Sequence, residues 1–200
     1  MRKYLLKTAV LFGLLSALVC FLYMFTLNVL GNNPFGRYQM MYLGFYGMCI
    51  AVGMWYFRDR QNAGVLRPQV AILFGMILNT VGTVFLGLLL FVWTGVLDQE
   101  QKVIGIHREQ SLELIASSER AMKEAKDSGQ LEEEQFQENM IAFEDQKEAI
   151  RTMDAMYLSY DQSIRFFIAG MFLTFFFMLI MKSGKGDSRG RSQISGKSKK

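Results

Sequence analysis

The sequence is short of the residues from which soluble enzymes usually build their chemistry. His107 is its only histidine, and Cys20 and Cys49 are its only cysteines. A metal site asks for about three or four converging ligands. The carboxylates nearest to His107 in sequence, Glu100, Glu109 and Glu113, share a charged stretch with it, so His107 is expected to be a solvated side chain. There is no H-E-x-x-H and no G-x-S-x-G, which removes support for zincin and hydrolase chemistry. "GRSQISGKS" resembles a phosphate-binding loop only superficially, because Gly190 and Gly196 stand one residue too far apart. No catalytic residue, metal or cofactor is expected, the chain is not expected to be an enzyme, and no nucleic-acid partner is expected.

A second lack is more informative. Four runs are almost free of charge: Thr8 to Leu30, Tyr38 to Phe57, Val70 to Leu97 and Phe166 to Met181. Hydrocarbon about 30 Å thick is crossed by about 20 helical residues, so the first three runs are long enough to span a bilayer. The fourth is shorter, and Arg165 and Lys182 are expected to snorkel from its ends. The first run exceeds the core of about 7–15 residues typical of a signal peptide, and no small-x-small site follows it near Asn32. It is therefore expected to be a retained helix. Both cysteines fall inside these runs, where they act as small apolar packing residues.

No Asp, Glu, Lys or Arg lies in the middle of a run, which counts against a proton-coupled pump, although backbone-lined pores escape that test. Asn79 is the intramembrane polar residue to follow. It is expected to make an interhelical polar contact, with a substrate-ligand role as the alternative. Gly13/Ala17 and Cys49/Gly53 are small-xxx-small pairs, and Gly44, Gly47, Gly75, Gly82 and Gly87 add flat surfaces for close packing.

The charges that remain are sorted by segment. Three basic residues precede the first run. The turn between runs two and three carries Arg58, Arg60 and Arg67 against Asp59. The segment 98–163 holds sixteen acidic and seven basic residues, a net charge of −9. The stretch from Lys182 holds seven basic residues and one acidic. Basic residues in short loops mark the cytoplasmic side, and long translocated segments largely escape that rule. Arg58, Arg60 and Arg67 thus act as topology determinants. The N-terminus, the second loop and the C-terminus are expected inside, and the first loop and the acidic segment outside. Pro68 suits the first turn of the third span, where its missing N–H costs nothing.

The acidic segment contains no proline, and its Glu, Gln, Lys and Ala content favours helix. "KEAKDSGQLEEE" marks a break, with Gly129 as a left-handed cap and Glu132 to Glu134 in the next helix's first turn. Leu112, Ile115 and Met122 form one apolar stripe. Phe136, Met140, Phe143, Ile150 and Tyr157 form a second, which Lys147 interrupts. Two arms, Asp98 to Asp127 and Gln130 to Ser163, would each reach about 45–50 Å as helices. They predict a helical hairpin, with a coiled coil between subunits or a partner-binding arm as alternatives.

The expected architecture is all-α: an integral membrane protein with four transmembrane helices and a long extracytoplasmic helical hairpin between spans three and four. Residues 1–97 form an N-terminal membrane part with spans at about 8–30, 38–57 and 70–97. Residues 98–163 form the hairpin, 164–182 the fourth span, and 183–200 a disordered basic cytoplasmic tail able to contact anionic lipid. Besides the lipid bilayer, the expected partners are another protein or a second copy, through the outer hairpin. The leading functional reading is a non-enzymatic interaction or accessory protein. The competing class is a small oligomeric transporter or channel.

Several of these residues carry a family likeness. The basic start "MRKYLLK", "FRDRQNAG" after span two, the direct run into span three and the Glu/Gln-rich insert before span four resemble a family of small bacterial four-span membrane proteins, the domain of unknown function of the four-one-nine-nine type. Its second loop typically carries an Arg-Asp pair and then a glycine, matched by Arg58, Asp59 and Gly64. Where an aromatic and a glycine usually follow, Arg67 and Pro68 stand instead. The resemblance implies a bacterial inner membrane and brings no catalytic residue with it.

Overall fold

The computed structural model describes residues 2–36, 38–62, 64–98 and 101–181. Arg37 and the basic stretch from Lys182, including the expected tail 183–200, lie outside the described residues. Every regular element among the described residues is helical. In chain order these are α1 (Arg2–Val29), α2 (Gln39–Tyr56), α3 (Pro68–Phe91), α4 (Lys102–Asp127), α5 (Glu133–Arg151) and α6 (Ala155–Met181). Two widened π-helical turns, Phe57–Gln61 and Val92–Leu97, prolong α2 and α3.

Four stretches are long and apolar enough to cross a membrane: Tyr4–Val29, Met40–Gln61, Pro68–Leu97 and Ala155–Met181. Proline opens α3 in the position that its fixed φ and missing N–H suit. Two ends differ from the sequence expectation. The α2 stretch runs through Arg58, Asp59 and Arg60 to Gln61, because a widened turn carries the helix past its last apolar residue. The helix that carries the fourth apolar run is longer than the run itself. α6 begins eleven residues before Phe166, at Ala155, where the Asp154 carboxylate accepts the Tyr157 N–H at 2.7 Å and caps the first turn.

That cap also corrects the second arm, expected to run unbroken to Ser163. α5 stops at Arg151, and its last turn is closed by the Thr152 N–H bonding the Glu148 carbonyl at 3.0 Å. With 26 residues in α4 and 19 in α5, the helices reach about 39 and 29 Å. The turn between them follows its sequence. Gly129 has φ +70°, its N–H meets the Lys126 carbonyl at 2.9 Å, and Gln130 N–H meets the Ala125 carbonyl at 2.9 Å. This is a helix end that a left-handed residue completes.

The chain divides into two compact units. The first comprises, of the described residues, those within 2–20, 43–86 and 164–181. Its interior holds Tyr46, Ile50, Met54, Phe57, Phe74 and Leu78, all fully buried. Phe57 stacks on Phe74 with centroids 5.4 Å apart. Lipid tails are as apolar as these side chains, so close packing and hydrogen bonds between helices hold such a unit more than the hydrophobic effect does. Gly53 lies against the Phe12 ring and Gly75 against Thr174, whereas among the described residues nothing lies within contact of Gly44. The second unit comprises residues 21–42 and 87–163. Its interior centres on Phe35, Trp93, Val103, Ile104, Met153 and Leu158.

Candidate functional site

Three local constructions concentrate the polar chemistry. The first lies in the apolar unit. Asn79 of α3 is fully buried, and its amide uses both ends. Its Nδ2 donates to the Phe167 carbonyl of α6 at 2.8 Å, and its Oδ1 accepts the Tyr46 hydroxyl of α2. The Tyr46 ring meets Phe166 edge-on, 5.0 Å between centroids. One side chain therefore ties three helices. Space around it is tight: a Cβ on Gly170 would fall 2.0 Å from Asn79 Oδ1, and one on Gly75 2.1 Å from Thr174 Cγ2. The arrangement links α2, α3 and α6 through one amide, with Gly170 in close approach to it.

The second construction is the contact between α4 and α5. The α4 stripe of Leu112, Ile115 and Met122 gains Glu119 and Lys126 at the same spacing, and the α5 stripe runs Glu133, Phe136, Met140, Phe143, Lys147 and Ile150. These are the alternating three- and four-residue steps of a coiled-coil seam. Lys147, which interrupts the apolar pattern, pairs across the seam with Glu119 and along α5 with Glu144 at 2.8 Å. The Lys147 and Glu119 side chains are only 17% and 13% exposed. At the turn, Lys126 pairs with Glu133 at 2.9 Å and sits 4.2 Å from the Phe136 ring centroid. Hydrogen bonds to Glu119 and Glu144 raise the Lys147 pKa above its ordinary value. The Lys147 ammonium lowers that of Glu144. The Gln137 amide, then Lys126, lowers that of Glu133. Away from the seam, Glu113, Glu124, Asp127, Glu134, Glu138 and Asp145 are exposed, so the outward faces are acidic.

The third construction seats the start of α4. Asp98 accepts the N–H groups of Lys102 at 3.2 Å and Val103 at 2.8 Å, a carboxylate on the positive end of the helix. Asn33 of the first loop is buried. Its amide donates to Gln110 Oε1 at 2.9 Å and lies 3.3 Å from His107 Nδ1, while its Oδ1 accepts the Phe35 N–H at 2.9 Å. His107 is not the solvated side chain expected from its charged neighbours. It is half-buried, with Phe35 edge-on at 5.5 Å. Arg108 reaches the Met153 carbonyl at 2.7 Å, tying α4 to the break between α5 and α6.

Of the basic residues read as topology determinants, Arg58 is half-buried with its Nε 2.7 Å from Asp59, and Arg60 and Arg67 are exposed. Sequence reasoning missed Tyr46, because an aromatic residue within an apolar run carries no mark of a buried hydroxyl bond. It also missed Glu119, although its spacing from Ile115 and Met122 matched the interruption at Lys147. Among the described residues no three His, Cys, Asp or Glu side chains converge as metal ligands.

An all-helical chain with four membrane-length apolar helices and a pair of polar helices between the third and fourth defines a class, that of multi-pass membrane proteins. The chain belongs to the family described as "Protein of unknown function (DUF4199)", whose model matches residues 10–183. No curated protein and no solved structure matches it.

Proposed function

We propose that the chain is a non-enzymatic protein of the bacterial inner membrane that works by interaction, with α4 and α5 forming an extracytoplasmic helical hairpin whose acidic faces are the contact surface. The observation that carries this reading is the α4–α5 seam. It turns the apolar and paired residues inward and leaves exposed carboxylates such as Glu124, Glu134 and Glu138 facing outward. A surface of that charge suits a basic partner.

Contacts within each unit support the alternation of sides. Asn33 and His107 join the first loop to α4, and the Thr8 hydroxyl donates to Gln61 Oε1 at 2.8 Å, joining the start of α1 to the second loop. Basic residues in the second loop then favour an inward N-terminus and C-terminus and an outward hairpin. The tight packing at Asn79 weighs against a transport path there.

The test is in-membrane crosslinking from the hairpin in the native host, followed by identification of the products. Replacing Glu124, Glu134 and Glu138 by glutamine leaves the seam intact. The reading expects a specific crosslinked partner whose yield falls several-fold in that variant. An unchanged yield, or no product from any outward position, contradicts it.

A further inference from the structure

The end of α2 forms a concavity that the roles above do not use. After Tyr56 the helix widens into the turn Phe57–Gln61, Phe57 remains buried against Phe74, and the chain reverses at Gly64, where φ is +76°. The Gly64 N–H closes on the Arg58 carbonyl at 2.8 Å, and Leu66, fully buried, holds the returning strand of chain down. Between the widened turn and the reversal lies a space of about 300 Å³ lined by Trp55, Asp59, Arg60 and Gly64. The space is open on one side, which admits a headgroup from the bilayer surface rather than enclosing a ligand.

We propose that this concavity binds the phosphate of an anionic glycerophospholipid, with Arg60 as the phosphate ligand and Trp55 as the wall against the glycerol backbone. Three observations lead there. The site closes the apolar stretch Met40–Gln61, so it lies at the depth where headgroup phosphates begin. Trp55 is 45% exposed, and an indole with one apolar and one polar edge settles at that interface. Arg58 pairs with Asp59 at 2.7 Å, and among the described residues no carboxylate is found paired with Arg60. A planar guanidinium with several donors fits phosphate oxygens in pairs. Upstream on α2, Met48 and Val52 are exposed and supply apolar surface for an acyl chain. The turn's Arg58, Arg60 and Arg67 against Asp59 make its balance positive, which selects an anionic lipid over a zwitterionic one. The proposal rests on α2 lying in a membrane and is independent of which side the turn faces and of what the acidic helices contact.

The experiment is native mass spectrometry of the full chain in mild detergent, titrated with phosphatidylglycerol and, separately, phosphatidylcholine. Phosphatidylglycerol is expected to give one preferred adduct, and Arg60→Gln to weaken it by more than the roughly fivefold that any one basic residue near anionic lipid accounts for. Trp55→Leu, which leaves all charges in place, should weaken it also. Arg67→Gln removes an equal charge from the same turn outside the concavity and should weaken it by about fivefold or less, the general charge effect alone. Equal losses from Arg60→Gln and Arg67→Gln would reduce the effect to general charge attraction and overturn the site, as would equal binding of the two lipids. Inorganic phosphate at the same concentration should not displace the adduct; if it does, the site reads free phosphate and the lipid assignment fails.

Discussion

Asn79→Ala tests the link between the intramembrane hydrogen bonds and the packing of the spans. The substitution deletes the bond to the Phe167 carbonyl and strips the Tyr46 hydroxyl of its acceptor, at a place fully buried in the native chain. Hydrogen bonds between membrane helices contribute about 0.6 kcal/mol on average and up to about 1.7 kcal/mol. Two of them, both within a packed interior, set an expected loss of about 1–3 kcal/mol. For a chain of this size that corresponds to a fall of about 3–10 °C in the midpoint of thermal unfolding. The assay is thermal loss of the monodisperse peak in mild detergent, compared across Asn79→Ala, Tyr46→Phe and the double variant. Tyr46→Phe alone leaves only an unpaired acceptor and should cost less. In the Asn79→Ala background it should cost less than it does alone, because the hydroxyl it removes has already lost its Asn79 acceptor and keeps only its Thr83 neighbour. The resulting coupling should be about 0.5–1.5 kcal/mol. Additive losses, or no shift for Asn79→Ala, would refute the reasoning and reopen a binding role for the residue.

Four further outcomes are expected. Gly170→Ala places a methyl group 2.0 Å from Asn79 Oδ1 and should destabilise the chain more than Asn79→Ala does, by the same thermal assay. Lys147→Glu sets like charges across the α4–α5 seam and should loosen both helices in hydrogen exchange, and adding Glu119→Lys should restore protection. Glu133 and Glu144 have lowered pKa values, so their contribution holds above the ordinary carboxylate range and is lost as pH falls through the lowered values. Lys147 has a raised one, so its contribution holds below the ordinary lysine range and is lost as pH rises through the raised value. Exchange protection of α4 and α5 should therefore be flat near neutral pH and fall at both extremes. His107→Ala should raise exchange at residues 33–36, where it packs on Phe35 beside Asn33, while leaving α5 unchanged.

The four spans were legible because uninterrupted apolar length is itself the physical requirement for crossing hydrocarbon. Pro68 and Gly129 were legible for a similar reason: each has a backbone property that suits one place in a helix. Helix ends were not. Nothing in the apolar pattern distinguishes a helix that stops at Phe57 from one that widens and continues to Gln61. The break at Thr152 to Asp154 turns on which of several acidic side chains folds back onto a free N–H, and local composition does not decide that. Lys147 looked like a defect in a stripe because its partner lies on the other helix, 28 residues earlier in the chain. His107 was misread by its neighbours: Glu109 and Glu113 are exposed, while Asn33 and Phe35, more than 70 residues earlier, lie against it. Pairings of that kind become visible only when the elements are placed side by side.

The most direct test of the central claim is sidedness. In a background with Cys20 and Cys49 replaced by alanine, a single cysteine is placed at Ser128, beside the α4–α5 turn, or at Ser195, in the basic C-terminal stretch. Intact cells with a permeable outer barrier are then treated with a membrane-impermeant thiol reagent. The account predicts labelling at position 128 and none at position 195 until the membrane is broken. Labelling at 195 with protection at 128 would put the acidic helices in the cytoplasm and contradict their role as an outer contact surface.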